Sequence, residues 1–249
     1  MTAIFKREFK SYFSTPIGYI TLAVIFFFLG YCFSIIYGYG SPDVSTVVMA
    51  MSSIVIFIIP VLTMRLMSED RRQKVDQVLL TAPIKISDVV FGKFFAALAV
   101  YALGFVPTVI FQIIVAFYVK INILAYLYAL LGAMLLGGVL ISIGMFISSH
   151  TESSVIAGVL TLVINILTLY MSSFSQMIKV PEGSTGFIAV IWGWIVKTFV
   201  AFLDKTAFMT VFEKFGDNVF RITDVVYFFS IIVAFVFLSI RSLEKRRWA

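Results

Sequence analysis

His150 is the only histidine and Cys32 the only cysteine in 249 residues, so a cluster of His and Cys metal ligands and an intrachain disulfide are excluded by count. His150 stands beside Thr151 and Glu152 at the end of an apolar run, the setting of a solvated loop residue rather than of a base or ligand. The nearest approach to a phosphate-binding loop is Gly92-Lys93. Position 87 is Ser where that loop needs Gly, and position 94 is Phe where it needs Ser or Thr. The interiors of the long apolar runs contain no Asp or Glu, which removes the carboxylates that ion-coupled carriers keep inside their bundles. The strongest polar groups within the runs are Gln112, in a run interrupted by Pro107, and Asn165, midway along another. Each suits an interhelical hydrogen bond, and each is a candidate for lining a translocation path.

The elements that carry these residues follow from composition. Apolar residues make up 61% of the chain and charged residues 13%, too little charge for a surface facing water. Crossing a bilayer takes about 20 apolar residues. Apolar runs of that length, uncharged but for Asp224 near the start of the last, lie at 15–38, 44–64, 94–118, 123–148, 153–177 and 222–240. The expectation is an all-α membrane protein of six transmembrane helices forming one domain, 1–249. A seventh run, 187–203, holds Trp192 and Trp194 but also Lys197 near its middle, where a lysine costs about 2.5–3.5 kcal/mol on an insertion scale. It reads as a re-entrant or interfacial segment between helices 5 and 6. With six crossings, thirteen of the nineteen Lys and Arg residues fall on the side of the two termini. That side is therefore expected to be cytoplasmic. The net charge of +6 is spent on orientation, and nucleic acid is not an expected partner.

Within the runs, Gly137, Gly138 and Ser142 add small residues that let helix backbones approach, while Pro60 and Pro107 each remove a backbone donor and bend a helix. Between helices 2 and 3 lies the only long charged loop on the terminal side. Its Ser68 suits an N-cap, Glu69 and Asp70 the positive first turn, and Val75, Val78 and Leu79 one apolar face, with Pro83 beyond as a stop. The pattern predicts an amphipathic helix over 68–80 beneath the membrane, able to plug into a soluble partner.

Here the sequence resembles the permeases of the type-2 ABC export superfamily, in particular the gliding-motility and copper-enzyme-maturation branch. The resemblance rests on Lys6-Arg-Glu-Phe-Lys-Ser-Tyr-Phe-Ser-Thr-Pro-Ile-Gly-Tyr19, Glu69-Asp-Arg-Arg72, Leu79-Leu-Thr-Ala-Pro83 and Gly92-Lys93, in that order. It implies that residues 1–14 form an amphipathic connecting helix on the inner leaflet and that 68–80 is the coupling helix. On this basis Glu69, Asp70, Arg71, Arg72, Val75, Val78 and Leu79 dock an ABC ATPase, and Thr151 and Glu152 supply a second, smaller contact. The resemblance further implies a second permease as partner, homologous or identical, within a prokaryotic inner membrane. ATP and magnesium belong to the partner ATPase, and this chain carries no cofactor and no metal site. Spans rich in aromatics and free of buried charge suit a hydrophobic or amphipathic solute. A membrane anchor for cytosolic proteins, and a channel or gradient-driven carrier, are the competing functions.

Overall fold

In lipid, an apolar run satisfies its backbone by closing every hydrogen bond within itself, which makes it a helix. The structure is a computed structural model that describes residues 1–40, 43–74, 85–120, 122–177, 208–216 and 221–247, with side chains described outside 169–177 and 246–247. Among these residues there are helices and no strand. They are α1 (Thr2–Ser14), α2 (Pro16–Gly38), α3 (Val44–Thr63), α4 (Ser68–Arg72), α5 (Ile86–Gly104), α6 (Val106–Ala116), α7 (Ile123–His150), α8 (Ser154–Met177), α9 (Phe208–Gly216) and α10 (Ile222–Arg247). Extended Thr15 separates α1 from α2, and Pro16 opens α2, where its missing N–H has no helical partner to lose.

Among the described residues, five stretches are long and apolar enough to cross a membrane: Pro16–Gly38, Val44–Arg72, Ile86–Ala116, Ile123–His150 and Ile222–Lys245. α8 has 24 residues, about 36 Å of helix, and its described apolar part is Ser154–Thr168. The third crossing departs from the expected 94–118. It starts at Ile86, takes in Lys93, and breaks at Phe105 between α5 and α6. The break follows from Pro107 in the first turn of α6. The carbonyl of Phe105 accepts from Thr108 N at 3.0 Å and from Thr108 Oγ1 at 2.6 Å.

α7 is the central helix, packed against α3, α5, α8, α9 and α10. Its small residues admit neighbouring side chains more than bare backbones. The Tyr101 ring fills the space a side chain at Gly137 would need, and its hydroxyl donates to the Ala133 carbonyl at 3.0 Å. Gly132 receives the ring of Phe215 from α9.

α9 buries Phe208, Phe212 and Phe215 on one face and exposes Glu213 and Lys214 on the other. Phe208 and Met209 border the same small gap as Ile56 and Leu140, while Gly216 meets Met49. Along α3, Ile56 and Met49 are about 10 Å apart, so α9 runs into the bundle and not across its end. The expected re-entrant segment, 187–203, lies outside the described residues.

Pro60 sits within α3 and leaves the Ile56 carbonyl without its usual donor. Asn165 of α8, fully buried, donates to that carbonyl from Nδ2 at 3.3 Å.

Candidate functional site

The described residues place four separate parts of the chain at one end of the bundle: α1, the elbow after α3, the α7–α8 turn, and the last turns of α10. The end of any helix leaves carbonyls unsatisfied, and at the end of α3 these are taken up from elsewhere. Tyr12 Oη donates to the Leu62 carbonyl at 2.9 Å. Ser148 Oγ of α7 donates to the Met64 carbonyl at 3.3 Å, and Ser68 Oγ donates to the same oxygen. Burial pushes the Tyr12 hydroxyl above its ordinary pKa, and the Glu8 charge adds to this, so it remains a donor.

Ser68 was the expected N-cap of the coupling helix, but the structure gives the cap to another residue. Ser68 is the first residue of α4, and Ser148 Oγ accepts from Met67 N at 3.1 Å and from Ser68 N at 3.0 Å. A side chain eighty residues away thus does what a local Ser does at an ordinary N-terminus. Ser68 Oγ lies 3.1 Å from Ser154 Oγ at the start of α8, which adds a third element to the knot.

The expected continuous helix over 68–80 stops early. α4 ends at Arg72, Gln73 N and Lys74 N close on the carbonyls of Glu69 and Arg71, and Lys74 has φ 56°. That left-handed conformation ends a helix and is uncommon for a residue with a side chain. Val75, Val78 and Leu79, with the rest of that predicted helix, lie outside the described residues.

The charged docking candidates divide by what they touch. Arg71 spans the two loops: its guanidinium pairs with Glu152 at 2.7 Å and donates to the His150 carbonyl at 3.2 Å. Glu69 is engaged by Arg65 at 3.4 Å and by Gln73 Nε2 at 3.1 Å. Arg72 is exposed and has no ion pair among the described residues. Glu152 remains mostly exposed despite its pair, whereas Thr151 Oγ1 is buried without a hydrogen-bond partner among the described residues. At the far side of the same turn, Ser149 Oγ and His150 Nε2 lie 3.2 Å and 3.4 Å from Ser242 Oγ of α10.

Asp70 points inward. Its carboxylate meets Lys93 Nζ at 2.7 Å, and the same ammonium lies 3.3 Å from Glu8 Oε1 of α1. Lys93 is 1% exposed. Glu8 Oε1 also accepts from Arg7 Nε at 3.1 Å. Burial works against the Arg7 charge, but the Glu8 hydrogen bond and the charges of Glu8 and Asp70 raise its pKa on balance. This chain of alternating charges, Arg7, Glu8, Lys93 and Asp70, is not evident from the sequence, where Lys93 stands at the rim of an apolar run. The legible signal is a lysine beside Gly92 at the head of a long apolar run, which once inside the bundle must find acids to stay charged. A cleft of about 410 Å³ opens beside it, between α1 and the α3–α4 elbow.

The two path candidates are not brought together. Asn165 commits its amide nitrogen to Ile56, and its Oδ1 has no partner among the described residues. Gln112 borders a pocket of about 150 Å³ with Asp43, Lys120 and Asn122 at the opposite end of the bundle, about 18 Å from Ile56 along α3. Among the described residues no group of three His, Cys, Asp or Glu side chains could hold a metal.

Membrane-length helices packed around α7, with a polar platform at one end, define a multi-pass helical membrane protein. Residues 1–182 match the family described as ABC-2 type transporter, and the chain belongs to that family. It is accordingly a transporter membrane component, of a kind that normally pairs with an ATPase subunit and is not itself catalytic. No curated protein matches it.

Proposed function

We propose that this chain is the membrane-spanning permease of an ATP-driven exporter, energised by a separate ATPase that docks on the platform end. That end is cytoplasmic, the bundle crosses the membrane six times with α8 as fifth crossing, and α9 belongs to a re-entrant segment on the outer side. Two permeases form the path, and the ATP and magnesium sites lie on the partner. The observation that carries the reading is the joining of the two expected docking loops. Ser148 caps α4 and Arg71 grips Glu152, so a push on either loop moves both. The exposed groups on this surface, Arg72 and Glu152, suit a soluble partner's charged rim, while Leu79 supplies the apolar contact. Burying an unpaired carboxylate in such a contact costs several kcal/mol, of order ~3–5 kcal/mol where a partner charge is missing. Pull-down of the ATPase from native membranes tests this. Wild type should retain it, Leu79→Asp should lose it at unchanged membrane abundance, and Arg72→Glu should weaken it. Retention of the whole complex by Leu79→Asp would remove this loop as the docking element.

A further inference from the structure

We infer that Lys93 is the positioning residue of the docking surface: a buried ammonium that holds α4 in register with α1 and α5, so that displacement of α4 is delivered to α1. The inference rests on the docking reading only for what moves α4; the joint itself is a property of this chain. Three observations lead to it.

The first is the nature of α4's two attachments. Toward α7 and α8 it is held by neutral hydrogen bonds at Met67, Ser68 and Ser154 and by the partly exposed Arg71–Glu152 pair. Toward α1 and α5 the cleft intervenes, and the described link from α4 across it is Asp70 on Lys93. The second is how firmly α1 and α5 are joined. A side chain at Gly92 would fall 2.9 Å from Ile4 Cγ2 and 3.3 Å from Phe5 N, so the two helices touch where only glycine fits. The α-amino group of Met1 also lies 3.8 Å from Asp88. The third is charge order. Lys93 has counter-charges on both sides, Glu8 on α1 and Asp70 on α4, and Arg7 shares the Glu8 oxygen. If Asp70 withdraws, Lys93 keeps Glu8 and remains neutralised, whereas α4 loses its hold on α1. The joint is therefore separable at Asp70 and fixed at Glu8.

The test measures distances within the chain in nanodiscs, without the ATPase, so it stands whether or not an ATPase docks. In a Cys32→Ser background, spin labels at Lys10 and Arg72 span the joint, and labels at Arg72 and Lys245 span the side of α4 tied to α7 and α10. Lys93→Met should broaden the first distribution at least twofold and leave the second unchanged, and Lys93→Arg should restore the narrow distribution. Should Lys93→Met fail to insert, Asp70→Asn serves in its place, because it leaves Lys93 paired with Glu8 and is expected to give the same selective broadening. An unchanged Lys10–Arg72 distribution in either variant, or equal broadening of both pairs, overturns the inference. Failure of the wild-type chain to retain an ATPase would instead overturn the docking reading and leave this result intact.

Discussion

The two ends of the bundle are tied in different ways. At the platform end, side chains reach across the sequence: Tyr12 to Leu62, Ser148 to Met67 and Ser68, Arg71 to Glu152, Lys93 to Glu8, and Ser149 to Ser242. At the opposite end the helix starts are capped locally, α3 by Asp43 on Ser45 N and α7 by Asn122 on Ala125 N. Local caps stabilise one helix each, whereas long-range bonds make several helices move as one. The proposed docking of an ATPase at the platform end would make use of this division.

The contrast can be broken hardest at Lys93. Removing both counter-charges with Glu8→Gln and Asp70→Asn leaves a buried ammonium unpaired, a loss of about 3–5 kcal/mol. Thermal unfolding in detergent should show the largest drop of any platform variant, and adding Lys93→Met to the pair should recover part of it.

Ser148→Ala should come next. It strands two amide donors at the α3–α4 elbow, each worth about 1–3 kcal/mol when left unsatisfied, while the Met64 carbonyl keeps Ser68 Oγ. Faster hydrogen exchange at Met67 and Ser68 is the expected signature. Protection there equal to wild type would mean that another group caps α4.

At the other end, Asp43→Ala and Asn122→Ala each remove one cap, an effect of about 0.5–2 kcal/mol. Both should lower the unfolding temperature without touching ATPase pull-down. A loss of pull-down would show that the two ends are not independent.

The smallest effect separates Arg71, paired with Glu152, from Arg72, which has no ion pair among the described residues. Exposed ion pairs contribute about 0–1 kcal/mol, so Arg71→Glu should cost little stability and Arg72→Glu none. Any loss of partner binding by Arg72→Glu then reports docking directly, while Arg71→Glu also loosens the α7–α8 turn.

Much of this was legible in the sequence. Long apolar runs mark five of the six expected crossings among the described residues, because lipid forces helix on any long apolar stretch, and the helix over 1–14 that the resemblance implies is present as α1. What failed did so for one reason. Lys93 was read as the edge of a span because a charge scan stops at lysine, yet the acids that neutralise it are 85 and 23 residues away. Ser68 fitted a local cap, but the partner of its own N–H is Ser148. Small residues on α7 signal close packing without saying that a tyrosine ring will fill the space. Periodicity reports what one helix needs, and it is silent about which other helix supplies it.

Pro60 and Asn165 carry a consequence for how this sequence can vary. The proline strips the Ile56 carbonyl of its donor and the asparagine replaces it, so the two positions form one unit of inheritance. Substituting Asn165 alone should be harmful while Pro60 is present and nearly neutral once position 60 is Ala. Relatives that lack a proline at this point of α3 are accordingly expected to have lost the asparagine from α8 as well.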